Sequence, residues 1–299
     1  MTSVEITSLR TRRRTARRRV LTALSSRGEA IVGLGILLVF VVASVIVPIL
    51  SPYSQDALVA APNLAPSAAH PFGTDALGRD LLVRCAGALH TDLTIIVLAV
   101  GISLVVGQGI GMLIGLARNR VVDLVATRLI DAVLAIPFVI LVLTLTVVIG
   151  NGPDIPGLPR GVPTILLSIW TVGWAVYARL GRAETLSVRN REYIVAASLL
   201  GYSRRRVFFR HMLPNVTGAS LTYVAADAVF VMVTTASLAF LGTGVQEPTP
   251  ELGSLMYQAR DTLQTAWWAA LLPGAIIVLV GLGFSLVADS FATESDVRR

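Results

Sequence analysis

Residues 192–215 read EYIVAASLLGYSRRRVFFRHMLPN. This stretch is polar and arginine-laden in a chain otherwise built mostly of apolar segments long enough to cross a bilayer. Its first part, 192–200, places Ile194, Ala197 and Leu200 at helical spacing on one face. Gly201 is the expected stop, because glycine adopts the left-handed backbone on which helices commonly end. A second short helix is expected over 204–212, with a basic face that includes Arg204 and Arg205. Pro214 is expected to close it just before the next apolar run. Together these features predict a helical hairpin presented for contact.

The rest of the chain explains why such a hairpin stands out. Of its 299 residues 54% are apolar and 14% charged, far from the ~25% charged residues of soluble domains. This composition identifies an integral membrane protein. All 25 basic residues are arginine, and they give a net charge of +7. The single cysteine, Cys85, excludes an internal disulfide. The three histidines, His70, His90 and His211, are too scattered for a metal-ligand pattern, so neither metal nor cofactor is expected.

The arginine-rich segment 9–19 has no apolar periodicity and reads as a solvated or lipid-headgroup tail, not a nucleic-acid arm. The first apolar run, 30–50, is longer than a signal-peptide core and matches the ~20 residues needed to span a bilayer. Further spans are expected at 93–117, 122–149, 163–180, 216–241 and 267–288, making six. The expected organisation is a tail over 1–28, a first transmembrane helix over 29–51, an extracytoplasmic loop over 52–90, a core over 91–290 containing a coupling loop at 182–215, and a second tail over 291–299. Six spans put both termini on one side. Arginine is concentrated there: eight up to Arg27, three from 118 to 128, eight from 179 to 210 and two at the end, against Arg79, Arg84, Arg160 and Arg260 opposite. The positive-inside rule then places the termini and the hairpin in the cytoplasm.

Inside the spans, Gly107, Gly111 and Gly115 repeat every four residues, the spacing that lets helix backbones approach closely. Pro137 and Pro273 fall within the third and sixth spans, where each removes a backbone donor and is expected to bend its helix. Asp227 lies near the middle of the span 216–241. A charge there costs about 2.5 to 3.5 kcal/mol on insertion scales, so it must face a polar cavity or a partner group. A translocation-path residue and a hydrogen-bonded acid at a helix interface are the two readings.

The spacing of Ala196 and Ala197, Gly201, then Leu213 with Pro214, resembles the cytoplasmic coupling loop of binding-protein-dependent ABC importer permeases. The family's motif usually begins with Glu where this chain has Val195. The segments HPFGTDALGRD at 70–80 and ASLAFLGTGVQEPTPELGSLM at 236–256 are similar to loops of the dipeptide, oligopeptide and nickel branch. Relatives often carry an acid where Thr235 stands. The long loop after the first span suggests the second of that branch's two unlike permeases. The resemblance implies an all-α, six-helix type I importer fold in the inner membrane. It also implies a sister permease, two ATPase subunits, an external solute-binding protein, and cargo such as short peptides or a nickel chelate. Glu192, Ala196, Ala197, Gly201, Arg204, Arg205 and Pro214 would couple the chain to the ATPases, with Asp227 a candidate for the path.

Other classes fit less well. With no lysine the chain has no Walker A motif, so it is not itself an ATPase. A secondary transporter calls for several intramembrane ionisable groups and repeats with interrupted helices. A membrane hydrolase calls for a nucleophile and a base, yet no histidine lies within a span and no G-x-S-x-G elbow occurs.

Overall fold

The computed structural model describes residues 28–117, 119–150 and 152–297, and their side chains except at 198, 204 and 291–297. The described residues are helical and contain no strand, only two isolated bridges, Leu58 with Arg79 and Thr74 with Asp80. The arginine-rich tail over 1–27 and the last two arginines, both used for orientation, lie outside the described residues.

The apolar runs become five long helices: α1 (Gly28–Leu50), α2 (Leu81–Leu116), α5 (Val162–Val188), α9 (Gly218–Phe240) and α11 (Trp268–Val297). The expected third span is not one helix. It is α3 (Arg120–Leu134) followed by α4 (Phe138–Ile149), which meet at 84°. Neither piece alone reaches the ~20 residues of a transmembrane helix. Pro137 stands at the break as the first residue before α4, where its ring and missing N–H preclude an uninterrupted helix. Pro273 behaves differently, since α11 runs through it without a break.

The centre of the fold is the contact between α2 and α5. Gly107, Gly111 and Gly115 form the strip along which they meet. A Cβ at Gly107 would collide with the Trp174 carbonyl, one at Gly111 with the Ala178 carbonyl, and one at Gly115 would come within 2.7 Å of Thr185 Cβ. The four-residue spacing is therefore a packing device. The first helix joins differently: Gly33 of α1 packs on Gly283 and Val287 of α11. The rest of α1 leaves residues such as Ile31, Leu34 and Leu38 exposed, as suits a lipid-facing surface.

Helix α2 begins at Leu81, earlier than the expected start at 93, because Asp80 caps it by accepting the Val83 N–H at 3.0 Å. His70 Nδ1 lies 2.8 Å from the other Asp80 oxygen and holds the cap in place. The preceding segment, 51–80, is a folded cover, not a loose loop. Thr74 donates to the Ala61 carbonyl and accepts from the Leu64 amide. Asp75 receives Arg79 Nε at 2.6 Å and lies 3.3 Å from Arg84 Nε, all three residues being buried. Arg79 also donates to Gln258 at 3.2 Å, tying the cover to α10 (Leu252–Gln258).

Candidate functional site

The hairpin forms where the sequence places it. Helix α6 (Glu192–Leu199) carries Glu192 in its first turn, the end at which a carboxylate is favoured by the helix dipole. Gly201 follows with φ of +78°. The Leu200 amide bonds to the Ala196 carbonyl, and the Tyr202 amide reaches back to the Ala197 carbonyl at 3.2 Å. These bonds satisfy the helix end as a left-handed glycine cap does.

The second arm differs from expectation. It is a short α7 (Arg204–Val207), then a π-helical turn (Phe208–Met212), then α8 (Leu213–Val216). Pro214 does not close the arm. It sits in the first turn of α8, a position where a helix tolerates a missing N–H, and α8 leads on towards α9. Proline has no N–H for the Arg210 carbonyl four residues back, and the chain winds wider in the turn before it.

The two adjacent alanines separate. Ala197 is 5% exposed and packs within this chain against Met112, Val188, Val207, Met212 and Val216. Ala196 is exposed. Of the two alanines that the resemblance implies for the coupling contact, only Ala196 faces outward, and Leu200 does not share the face of Ile194 and Ala197 as expected. Ile194 is buried, whereas Leu200 is 73% and Leu199 84% exposed. Residues adjacent in a helix are turned about 100° apart, so only one of the pair faces inward. The outward apolar surface is made by Val195, Leu199 and Leu200. Arg205 is exposed, and the side chain of Arg204 lies outside the described residues. Arg206 stands 4.6 Å over the Tyr202 ring, a cation–π contact that stiffens the turn.

The inward face of the hairpin packs on the ends of α2 and α5, through Met112 and Val188, and on Val216 of α8. Beside it lies a cavity of ≈ 1130 Å³ lined by Arg120, Arg189, Asn190, Tyr202, Phe208 and others. Arg189 donates to the Gly115 carbonyl at 2.8 Å, tying the end of α5 to α2. Arg182 grips Asp123 with two bonds of 2.7 and 2.8 Å, and Arg179 reaches Asp131 at 2.6 Å. These pairs bind α3 to α5.

Asp227 is 9% exposed and lies between α9 and α5, where the Tyr177 hydroxyl donates to it at 2.8 Å. This arrangement matches the interface acid of the two readings. Below it, Ser220 donates to Gln108, whose amide donates to the Val216 carbonyl at 3.2 Å. Tyr177, Gln108 and Ser220 escaped the sequence reading, since each is a single uncharged polar group in an apolar run. Among the described residues no group of three or more His, Cys, Asp or Glu is placed to hold a metal ion.

A glycine-zippered helical core with a hairpin at one end defines a membrane-embedded transport subunit, and its similarity to known proteins gives the same class. Residues 107–298 match the model of the binding-protein-dependent transport system inner membrane component family, and residues 16–66 match the N-terminal TM domain of oligopeptide transport permease C. The chain belongs to this family of ABC permease subunits, a non-catalytic component of transporters that hydrolyse ATP elsewhere. It is 34% identical to a di/tripeptide transport system permease protein, DppC, of Pseudomonas aeruginosa, over 89% of this chain and 87% of that one. It is 31% identical to the dipeptide permease DppC of Alkalihalophilus pseudofirmus and 31% identical to the oligopeptide permease OppC of Bacillus subtilis, in each case over 89% of this chain and 85% of the relative. A solved amino acid ABC transporter shares the fold, with a TM-score of 0.51 at 17% identity, over 72% of this chain and 94% of that one.

Proposed function

We propose that this chain is one of two homologous permeases in an ATP-driven importer, and that it forms part of the path for short peptides or a similar small solute such as a nickel chelate. The outward apolar row of Val195, Leu199 and Leu200 carries this reading. A soluble face does not gain by exposing such a row, whereas a groove on an ATPase subunit would cover it. Around that row, Glu192, Ala196, Gly201, Arg204, Arg205 and Pro214 shape or flank the contact, and Ala197 supports it from within. The hairpin and both termini face the cytoplasm, two ATPase subunits dock there, and an external solute-binding protein delivers cargo to the opposite face. Peptide cargo is supported by the names of the relatives.

In this scheme the chain breaks no bond. Nucleotide-driven movement of the ATPases pushes on the hairpin. Because its buried face is packed on α2 and α5 and its second arm runs through α8 towards α9, that push tilts the helices and changes which end of the path is open. The test is a complex reconstituted in liposomes with its ATPases and binding protein. Leu199→Arg with Leu200→Arg should leave the permease pair assembled, abolish ATPase capture in pull-downs, and abolish uptake of labelled dipeptide. Normal capture and uptake would overturn the coupling assignment. For orientation, a thiol introduced at Ser203 in a Cys85→Ser background should react with an impermeant reagent only after the cytoplasmic face is opened.

A further inference from the structure

At the end of the molecule opposite the hairpin, α10 joins α9 to α11. Helix α10 is capped by Glu251, whose carboxylate accepts the Gly253 amide at 2.9 Å and the Ser254 amide at 2.7 Å. Asp92 of α2 accepts the Leu252 amide at 3.3 Å with one oxygen, and its other oxygen, Oδ1, is buried without a partner. Each residue is 1% exposed, and because Asp92 holds the amide of Leu252, the residue next to Glu251, the two buried carboxyl groups stand side by side at the start of α10.

Two carboxylates cannot bond to each other. Neither holds a donor, and buried like charges repel strongly, so carboxyls in such contact share a proton. A neighbouring cation would be the alternative, and none faces the pair among the described residues. On α2, Arg84 is engaged with Asp75 and Asp56, and His90 is exposed. On α9, Asp227 is bonded by Tyr177. At α10 itself, Gln258 bonds Glu247 while Arg260 stacks on Tyr257 and lies beside Asp261. The acids on α11, of which Asp289 comes first, lie toward the far end of that helix. Burial raises Glu251 to about 7, which agrees with a proton held near neutrality.

We propose that Asp92 and Glu251 form a proton-bridged latch that fastens α10, and with it the connection between α9 and α11, onto α2. When the latch is closed, one proton is shared between the two carboxyls. When it opens, that proton passes to water and both groups become hydrated carboxylates, with no other bond made or broken. The sign follows directly. Seating α10 takes up a proton, so the closed state is favoured as pH falls and loosened as pH rises through neutrality. Because α10 is also stitched to the 51–80 cover through Arg79 and Gln258, the latch sets how readily that end of the bundle parts. It depends on no assumption about cargo or about the ATPase contact.

The experiment is amide hydrogen exchange of 252–258 in the purified permease complex in nanodiscs, across a pH series and corrected for intrinsic base catalysis. In the wild type the opening equilibrium should rise by up to about tenfold per pH unit between about pH 5 and neutrality, the slope of a single linked proton, and level off above it. In Glu251→Gln, which keeps an acceptor for the α10 cap and adds a donor for Asp92, it should be flat. Asp92→Asn should likewise flatten it. A wild-type profile parallel to that of Glu251→Gln at every pH overturns the latch. An infrared measurement needs no variant: a protonated-carboxyl band present at pH 6 should vanish on alkaline titration together with the exchange protection. Its absence at pH 6 also overturns the proposal.

Discussion

The Tyr177 hydroxyl and the Asp227 carboxylate meet at 2.8 Å across the α5–α9 interface, with the Tyr223 ring edge-on to Tyr177 at 5.5 Å between centroids. In a membrane interior an acid so enclosed depends on its donor, because no water is available to replace it.

Tyr177→Phe should therefore destabilise the folded subunit by about 1 to 3 kcal/mol, the cost of stranding a buried acceptor. Asp227→Asn, which retains an acceptor for Tyr177, should cost less. The double variant should fall short of the sum, as coupled pairs do. Thermal unfolding of the detergent-solubilised complex measures all three. Equal melting of Tyr177→Phe and wild type would remove the interface role of Asp227.

Along α2 the glycines provide their own controls. Gly111→Ala places a methyl against the Ala178 carbonyl and 2.8 Å from the Arg182 amide, whereas a Cβ at Gly109 or Gly101 meets nothing within 4 Å. The first substitution should cost about 1 to 3 kcal/mol through overpacking, and the other two should be neutral or stabilising. The same melting assay, with the yield of folded protein, separates them.

In the hairpin, Ala196→Trp and Ala197→Trp should differ in kind. The first adds bulk on the exposed side and should reduce substrate-stimulated ATP hydrolysis while the hairpin stays folded. The second drives an indole into the cluster of Met112, Val188 and Met212, and should expose the hairpin to protease before any ATPase is added. Gly201→Val forces a β-branched residue to the +78° backbone angle, a strain of about 1 to 3 kcal/mol. It should uncouple hydrolysis from uptake with normal membrane insertion. Identical protease patterns for the two tryptophan variants would sink the division of the alanines.

At the other end, Asp75→Asn removes the charge that Arg79 and Arg84 share while both guanidinium groups stay buried. Breaking a buried pair from one side costs about 3 to 5 kcal/mol. The cover over 51–80 should become sensitive to limited proteolysis, with the five long helices retained by circular dichroism. Unchanged proteolysis would mean that the cover is held by its backbone bonds alone.

Much of this was legible in advance because membrane spans and helix stops leave local signals. Length and apolarity located the long helices, the spacing of Gly107, Gly111 and Gly115 announced a close interface, and Gly201 marked the turn. Contacts between remote segments left no such trace. Nothing near Asp92 in the sequence points to Glu251, 159 positions away, and nothing near Asp227 points to Tyr177. The division of Ala196 from Ala197 follows from where Met112 and Val188 arrive, which is a tertiary fact. The break at Pro137 was signalled by the proline, but its angle of 84° was not.

The wide turn at Phe208–Met212 gives the hairpin two unlike joints. On one side, α5 is clamped to α2 by glycine contacts and by the Arg189 bond to Gly115, so the pair moves as a single stiff girder. On the other, the chain enters α9 through a loosely wound coil followed by a proline, which can yield where an ordinary helix would transmit. Under the proposed coupling, a push on Leu199 would reach the girder more directly than it reaches α9, and the two halves of the subunit would pivot instead of translating together.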